Sequence, residues 1–225
     1  MVGLSKTVKF EAIISDLDGV IVNSEHEHFL SFEKMLSERY GLHYTASENE
    51  AFLGTTDQFV FTELKKRYPI IKEPLDMLIK QRTEYYISIF KEKVKPLPGV
   101  EVLFKYIHTQ DIPLAVGTSA ERDIAEFVLT TLHLKQYLRT IVTADDVEHG
   151  KPAPDIYLKV AKYLHVNPEK CLVFEDSFFG VQAAKSAGMT CIAIPCGPTL
   201  KQTFSHADRV LKSLTQVTPE FLDSF

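Results

Sequence analysis

The sequence predicts an α/β fold: an open parallel sheet with an all-helical domain inserted after its first strand. Three observations lead to this prediction. Short apolar runs rich in β-branched residues end abruptly in polar or acidic residues, and helical periodicity follows several of these runs. By contrast, about 70 residues after the first run contain several helical patterns and no convincing strand. In sheets of this kind, chemistry gathers at the carboxyl ends of the strands.

Five runs are predicted to be buried parallel strands. They cover residues 12–15, 112–117, 140–143, 171–174 and 191–194. The intervening helices are predicted over residues 100–109, 121–132, 155–165 and 180–187. Pro154 favours a helix start at Asp155, and Gly188 is typical of a helix stop.

The inserted segment has apolar residues at helical spacing, among them Phe29, Phe32 and Leu36. It closes with a stiff, helix-breaking connection that contains Pro96 and Pro98. The predicted organisation is therefore one core formed by residues 1–22 and 95–225, and a helical domain formed by residues 23–94.

Composition excludes several classes of protein. The chain has 225 residues, 45% of them hydrophobic, and a formal net charge of −5, which is typical of a soluble globular protein and not of a disordered or fibrous one. A mild acidic excess offers no basic face for nucleic acid. No stretch approaches the roughly 20 apolar residues of a membrane span. The three cysteines form no CxxC pair and favour a reducing compartment. We therefore expect a cytoplasmic protein without nucleic-acid or membrane partners.

Four acids stand at predicted strand ends. Asp16 and Asp18 follow the first strand two positions apart, so their side chains point the same way. Glu175 and Asp176 follow another strand. Carboxylates that converge repel one another unless a proton or a cation intervenes, and a hard divalent cation, most simply Mg²⁺, relieves that repulsion. An isolated Asp-x-Asp-Gly is equally well explained as a turn or a helix cap.

Two further strand ends add groups that bind anions. Thr118 and Ser119 supply hydroxyl and backbone donors, and Lys151 precedes a helix near the same predicted edge. Taken alone, Lys151 is explained as a solvated lysine. Acids together with hydroxyls and a lysine are the parts used in phosphoryl transfer.

In this order the residues resemble the four motifs of the haloacid dehalogenase superfamily: Asp16-x-Asp18-Gly19, then Thr118, then Lys151, then Glu175-Asp176. The inserted helical segment is similar to the cap domain of the β-phosphoglucomutase and phosphoglycolate phosphatase branch. The resemblance implies a Rossmann-like catalytic core, a mobile helical cap domain and an aspartyl-phosphate mechanism.

The resemblance also implies roles for these residues. Asp16 would be the nucleophile, and Asp18 would protonate the leaving oxygen and later deprotonate water. Mg²⁺ would be held by Asp16, the Asp18 carbonyl and Asp176, with Glu175 either a direct ligand or one step removed. Phosphoryl oxygens would be held by Thr118, Ser119 and Lys151.

Asp18 argues for a phosphate ester as substrate, because the dehalogenases of this superfamily lack an acid there and a halide leaves without a proton. His28 matches a histidine of the mutases and of many phosphatases; it either orients Asp18, contacts substrate or is a surface residue. The mutases carry an arginine three residues after a glycine of the cap, where it grips a second phosphate. Here Asp57 stands three residues after Gly54, and an acid would repel that phosphate.

We therefore expect a Mg²⁺-dependent phosphatase for a small phosphorylated metabolite, either a sugar phosphate or a phosphoglycolate-like compound. Besides His28, Thr55 and Thr56 are candidates for cap contacts with substrate. One alternative is a β-phosphoglucomutase-type phosphosugar mutase. The other is a non-catalytic binding protein on the same scaffold.

Overall fold

A computed structural model describes residues 10–225, in which six strands form one parallel sheet. The strands are β1 (Ala12–Ser15), β2 (Leu114–Gly117), β3 (Thr140–Val142), β4 (Cys171–Glu175), β5 (Thr190–Ala193) and β6 (Arg209–Val210). Their order across the sheet is β3-β2-β1-β4-β5-β6. The first strand therefore lies at the centre, between β2 and β4.

Four helices follow β1 before the chain returns to the sheet: α1 (Glu25–Tyr40), α2 (Ala46–Glu50), α3 (Asp57–Arg67) and α4 (Leu75–Phe90). Five more accompany the other strands: α5 (Val100–Thr109), α6 (Arg122–Thr131), α7 (Asp155–Leu164), α8 (Phe178–Ser186) and α9 (Pro219–Leu222). The predicted fold class is confirmed, with a parallel sheet and an inserted helical segment.

Small differences from the predicted elements have local causes. β2 begins after Pro113, which has no amide hydrogen to give to the ladder. α8 begins at Phe178, two residues earlier than predicted, because the Ser177 hydroxyl accepts a hydrogen bond from the amide of Gly180 at 3.1 Å and caps the helix. The short strand β6 was not predicted, since two exposed residues carry no periodicity.

Alternating side chains bury both faces of the sheet. One face packs its residues against α5 and α6, among them Ile13, Val116, Leu172, Phe174 and Ile192. The opposite face packs smaller residues against α7 and α8, among them Ile14, Ala115, Val173 and Cys191. Because both faces are covered, the strands are apolar throughout, and polar groups appear where the strands end.

The inserted helices have an apolar cluster of their own, which includes Phe32, Met35, Phe61 and Leu78. The end of α4 differs, because Tyr86 and Phe90 join the cluster beneath the sheet. The two connections of the insert lie side by side: Val22 forms a backbone bridge with Pro96, and the amide of Leu97 donates to the carbonyl of Ile21 at 2.8 Å. Domain boundaries at residues 22/23 and 94/95 stay a prediction.

None of the helices within residues 10–225 combines the length and the apolar character that crossing a bilayer requires.

We expect Leu172→Ala to lower the free energy of unfolding by about 2–5 kcal/mol, because Leu172 is fully buried in the central strand β4 and its truncation leaves a cavity. The matched control is Leu158→Ala on α7, whose leucine is 41% exposed and should cost less than about 1 kcal/mol. Chemical denaturation measures both. Equal losses in the two variants would contradict this placement of the core.

Candidate active site

Three functional positions meet at the carboxyl edge of the central strands. Asp16 directly follows β1, and Glu175 ends the adjacent strand β4. The strands are in register, with Ser15 opposite Phe174, so the two carboxyl groups are neighbours. Thr118 follows β2 on the other side of β1 and is buried. Parallel pairing therefore brings residues that are more than 150 positions apart in the sequence to one edge.

Lys151 lies among these carboxyl groups, on the loop before α7, and its side chain is 1% exposed. Its Nζ is 3.0 Å from Oδ1 of Asp16 and 2.6 Å from Oε1 of Glu175, and it donates to the carbonyl of Gly117 at 3.2 Å. Burial disfavours its charge, but the two carboxylates outweigh burial and raise the pKa of Lys151. The side chain is therefore an ammonium group that balances buried negative charge.

Glu175 is held by hydrogen bonds at both of its carboxylate oxygens. Oε1 accepts from Lys151 and from the Tyr157 hydroxyl, each at 2.6 Å. Oε2 accepts from the amides of Asp176 at 2.9 Å and Ser177 at 3.1 Å. A Cβ on Gly180 would lie 1.8 Å from Oε1, so this packing requires glycine. The sequence left open whether Glu175 binds the metal directly or lies one step removed from it. These contacts favour the position one step removed.

Asp176 approaches the first motif closely. Gly19 has φ +80°, and a Cβ there would lie 2.1 Å from Oδ2 of Asp176. Both the backbone conformation and the close approach therefore need glycine at position 19. The Thr199 hydroxyl is 3.0 Å from the same Oδ2 and fixes the carboxyl group from the other side.

The geometry fits a hard divalent cation. Oxygen atoms of Asp16, Glu175 and Asp176 lie within 4.8 Å of one another, and all three residues are buried. Burial raises the pKa of Asp16 to about 8, with Glu175 and Asp18 adding to the rise and Lys151 opposing it. Burial and then the charges of Glu175 and Asp16 raise the pKa of Asp176. A cation such as Mg²⁺ would remove this repulsion.

The Asp18 side chain lies outside that group of three and has its own partners. Its Oδ1 accepts a short hydrogen bond from the Ser24 hydroxyl and lies 3.0 Å from Nε2 of His28. Burial alone would raise the pKa of Asp18, but interactions with His28, Ser24 and Arg82 lower it below its ordinary value. The two aspartates of the motif therefore sit in different electrostatic environments.

Arg82 determines the tautomer of His28. An Nη2 hydrogen of Arg82 points at Nδ1 of His28, and a guanidinium group only donates hydrogen bonds. Nδ1 must therefore be the acceptor, which leaves the ring proton on Nε2, where it is donated to Asp18. Tyr86 stacks on the ring with centroids 4.4 Å apart. His28 thus donates to Asp18, and it also lines the pocket above Asp16.

The remaining predicted residues divide into two groups. Thr118, Ser119 and Thr55 line the same pocket as Asp16 and Lys151. The Ser119 hydroxyl also donates to the carbonyl of Gly54 at 3.2 Å and so joins the core to the insert. Thr56 is not among the described residues that line this pocket. Its side chain instead caps α3, accepting from the amide of Phe59 at 3.3 Å.

Sequence reasoning missed several residues of the site: Ser24, Arg82, Glu121, Tyr157, Gly180 and Thr199. Arg82 lies in a helical pattern, where a basic residue usually indicates a solvated face. Tyr157 shows only the spacing of a core aromatic residue. The one available signal was at Gly180, which is an unfavourable residue in the first turns of a helix unless something approaches it closely.

The chain belongs to the haloacid dehalogenase-like hydrolases, since the model of that family matches residues 13–194. It is similar to fructose-1-phosphate phosphatase YqaB of Escherichia coli strain K12, with 36% identity over 83% of this chain and 97% of that protein. It is also 37% identical to the phosphorylated carbohydrates phosphatase of Thermotoga maritima, over 80% of this chain and 82% of that protein.

A solved structure with a similar fold is that of CbbY from Rhodobacter sphaeroides in complex with phosphate. The TM-score is 0.86 and the identity 28%, over 95% of this chain and 99% of that one. The chain is also similar to the structure of β-phosphoglucomutase from Clostridium difficile, with a TM-score of 0.83 and 27% identity over 96% of each chain. The expected superfamily and its branch are therefore confirmed.

We expect the metal-free protein to lose stability as the pH rises from about 6 to about 8. Asp16 has a pKa of about 8 when folded and 3.8 ordinarily, so over this range the folded state keeps a proton that the unfolded state has lost. The free energy of unfolding then falls by up to about 1.4 kcal/mol per pH unit from this group. Denaturation in EDTA measures the slope.

Asp16→Asn is the matched control, because an amide does not titrate in this range. Its slope should be shallower than that of the wild type, and added Mg²⁺ should raise the wild-type stability most at the higher pH. A slope that is the same in both proteins would show that Asp16 does not carry the effect.

Proposed function

We propose that this chain is a Mg²⁺-dependent phosphatase that hydrolyses a small phosphorylated metabolite through an aspartyl-phosphate intermediate. The observation that carries the proposal is that two neighbouring aspartates have different partners. Asp16 faces Lys151 at 3.0 Å, whereas Asp18 faces His28 at 3.0 Å. Two carboxyl groups in different environments suit the separate tasks of nucleophile and proton donor.

In the first step, an oxygen of Asp16 attacks phosphorus and the bond from phosphorus to the ester oxygen breaks. Asp18 gives its proton to that oxygen, which leaves as an alcohol. In the second step, water attacks the aspartyl phosphate while Asp18 takes one of its protons. Inorganic phosphate leaves, and both aspartates return to their starting states.

Lys151 and Thr118 are proposed to hold the phosphoryl oxygens, since both are buried and line the pocket with Asp16. Asp16, Asp176 and the Asp18 carbonyl would hold Mg²⁺, with Glu175 one step removed. When bound there, Mg²⁺ would neutralise negative charge on the phosphoryl oxygens and favour the ionised form of Asp16. Glu175 in turn positions Lys151.

Whether Asp18 is protonated depends on whether substrate is bound. Without substrate, His28, Ser24 and Arg82 hold the pKa of Asp18 below its ordinary value. A phosphate monoester bound beside Asp18 adds negative charge, which favours the protonated carboxyl group. We propose that substrate binding therefore supplies the acid, and that His28 keeps the carboxyl group directed at the leaving oxygen.

The comparisons support a phosphoric monoester hydrolase. Both relatives described above carry phosphatase names, one for fructose 1-phosphate and the other for phosphorylated carbohydrates. The first test is phosphate release from p-nitrophenyl phosphate and a panel of metabolite esters, in Mg²⁺ and in EDTA. If none of the esters releases phosphate in Mg²⁺, the proposal is overturned.

Asp16→Asn should lower kcat by more than about 1,000-fold on every ester, because an amide is a far poorer nucleophile than a carboxylate. Initial rates of phosphate release measure the loss. The control is Asp111→Asn, which makes the same chemical change at a side chain that is 92% exposed. Retention of most activity in Asp16→Asn would refute the assignment of the nucleophile.

Asp18→Asn should distinguish esters by their leaving groups. An alkyl alcohol needs a proton to leave, so we expect its kcat to fall by about 100- to 10,000-fold. p-Nitrophenolate is a stable anion and should lose much less. The measurement is the ratio of kcat values for glycerol phosphate and p-nitrophenyl phosphate in variant and wild type. Equal losses of kcat on the two esters would contradict the assignment of Asp18 as the general acid.

A further inference from the structure

The pocket above Asp16 has a second charged region that the proposed chemistry does not use. It consists of Asp57 on α3, Arg82 on α4 and Glu121 immediately before α6, and all three line the pocket. Nη1 of Arg82 lies 3.1 Å from Oδ2 of Asp57 and 3.9 Å from Oε2 of Glu121. Two residues come from the insert and one from the core, so the region exists only where the insert covers the sheet edge.

Several polar atoms of this region are buried without a hydrogen bond. Within residues 10–225, Nε of Arg82 has no hydrogen-bond partner, and Nη1 of Arg82, Oδ2 of Asp57 and Oε2 of Glu121 meet only in the ion pairs given above, without hydrogen-bond geometry. The Arg82 side chain is only 1% exposed. Buried polar groups are nearly always hydrogen-bonded, so a cluster of charged groups beside a pocket that lacks these hydrogen bonds indicates that a ligand supplies them.

Charge limits what that ligand is. Two carboxyl groups face one guanidinium group, which is also shared with His28. Burial raises the pKa of Asp57 and of Glu121, and the charge of Asp57 raises the pKa of Glu121 further, so the region already disfavours a second negative charge. A second phosphate or a carboxylate on the substrate would add repulsion here. Hydroxyl groups fit, because each one donates to a carboxylate and accepts from the guanidinium group.

We propose that Asp57, Arg82 and Glu121 bind hydroxyl groups of the substrate, and so select monophosphates of neutral polyols over compounds with a second phosphate or a carboxylate. This inference rests on the proposed phosphatase function and narrows its substrate class. Of the two substrate classes expected from the sequence, it favours sugar phosphates over phosphoglycolate-like compounds. It also disfavours the mutase alternative, whose bisphosphate intermediate would place a phosphate against Asp57 and Glu121.

The first experiment uses the unmodified protein with Mg²⁺ and compares matched esters. Fructose 1-phosphate is paired with fructose 1,6-bisphosphate, and glycerol 3-phosphate with phosphoglycolate. We expect kcat/KM to be at least about tenfold higher for the neutral, hydroxylated member of each pair. Equal values within both pairs, or a preference for the doubly anionic members, would overturn the inference.

The second experiment uses Asp57→Asn and Glu121→Gln, which keep the shape of each side chain and remove its charge. The preference for fructose 1-phosphate over the bisphosphate should fall by about tenfold or more in each variant. Relative to p-nitrophenyl phosphate, which has no hydroxyl groups, kcat/KM for fructose 1-phosphate should fall by about tenfold as well. Unchanged ratios in both variants would overturn the inference.

Two matched variants control for net charge. Asp123→Asn removes an exposed acid in the first turn of α6, and Glu63→Gln removes a half-buried acid from α3; neither residue lines the pocket. Their substrate ratios should equal those of the wild type, and a shift as large as in Asp57→Asn would contradict a local subsite.

The possible failures can be told apart. Phosphate release without discrimination overturns the subsite alone, whereas no release from any ester overturns the phosphatase function and the subsite with it.

Discussion

The structure depends on balancing several carboxyl groups that are buried at one edge of the sheet. Isolated carboxylates are costly to bury, so each needs a cation, a proton or hydrogen bonds. Lys151 lies between Asp16 and Glu175 and supplies a positive charge from the loop before α7. Glycine at positions 19 and 180 lets two of the carboxyl groups approach the backbone. The segments after β1, β3 and β4 therefore all contain residues that help to compensate the buried carboxyl groups.

The insert also supplies side chains that contact the residues at this edge of the sheet. A chain of contacts runs from Arg82 through His28 to Asp18, and it connects α4 and α1 to the first motif. Ser119 contacts Gly54 across the same boundary. Displacement of the insert would remove the partners of Asp18 and open the pocket to water. In the proposed phosphatase, the geometry of the acid and the exclusion of solvent would therefore both depend on the position of the insert.

Much of the fold and the main acids could be predicted from the sequence, because the signals are local. Strand ends follow apolar runs, and Asp16, Asp18, Glu175 and Asp176 stand at such ends. The second charged region could not be predicted in full. Asp57 attracted attention only through a family comparison, while Arg82 and Glu121 resemble ordinary helix residues. Their burial results from packing between insert and core, which leaves no periodic trace in the sequence.

By itself the sequence determined the fold class, the order of the motifs and the residue types available for phosphoryl transfer. Hydrophobic periodicity and abrupt strand ends are properties of consecutive residues, so they are visible in one dimension. Only the tertiary structure decided which partner each carboxyl group has: Lys151 for Asp16, His28 for Asp18 and Arg82 for Asp57. The reason is that a side chain's charge state and hydrogen bonds depend on neighbours that folding brings from distant segments.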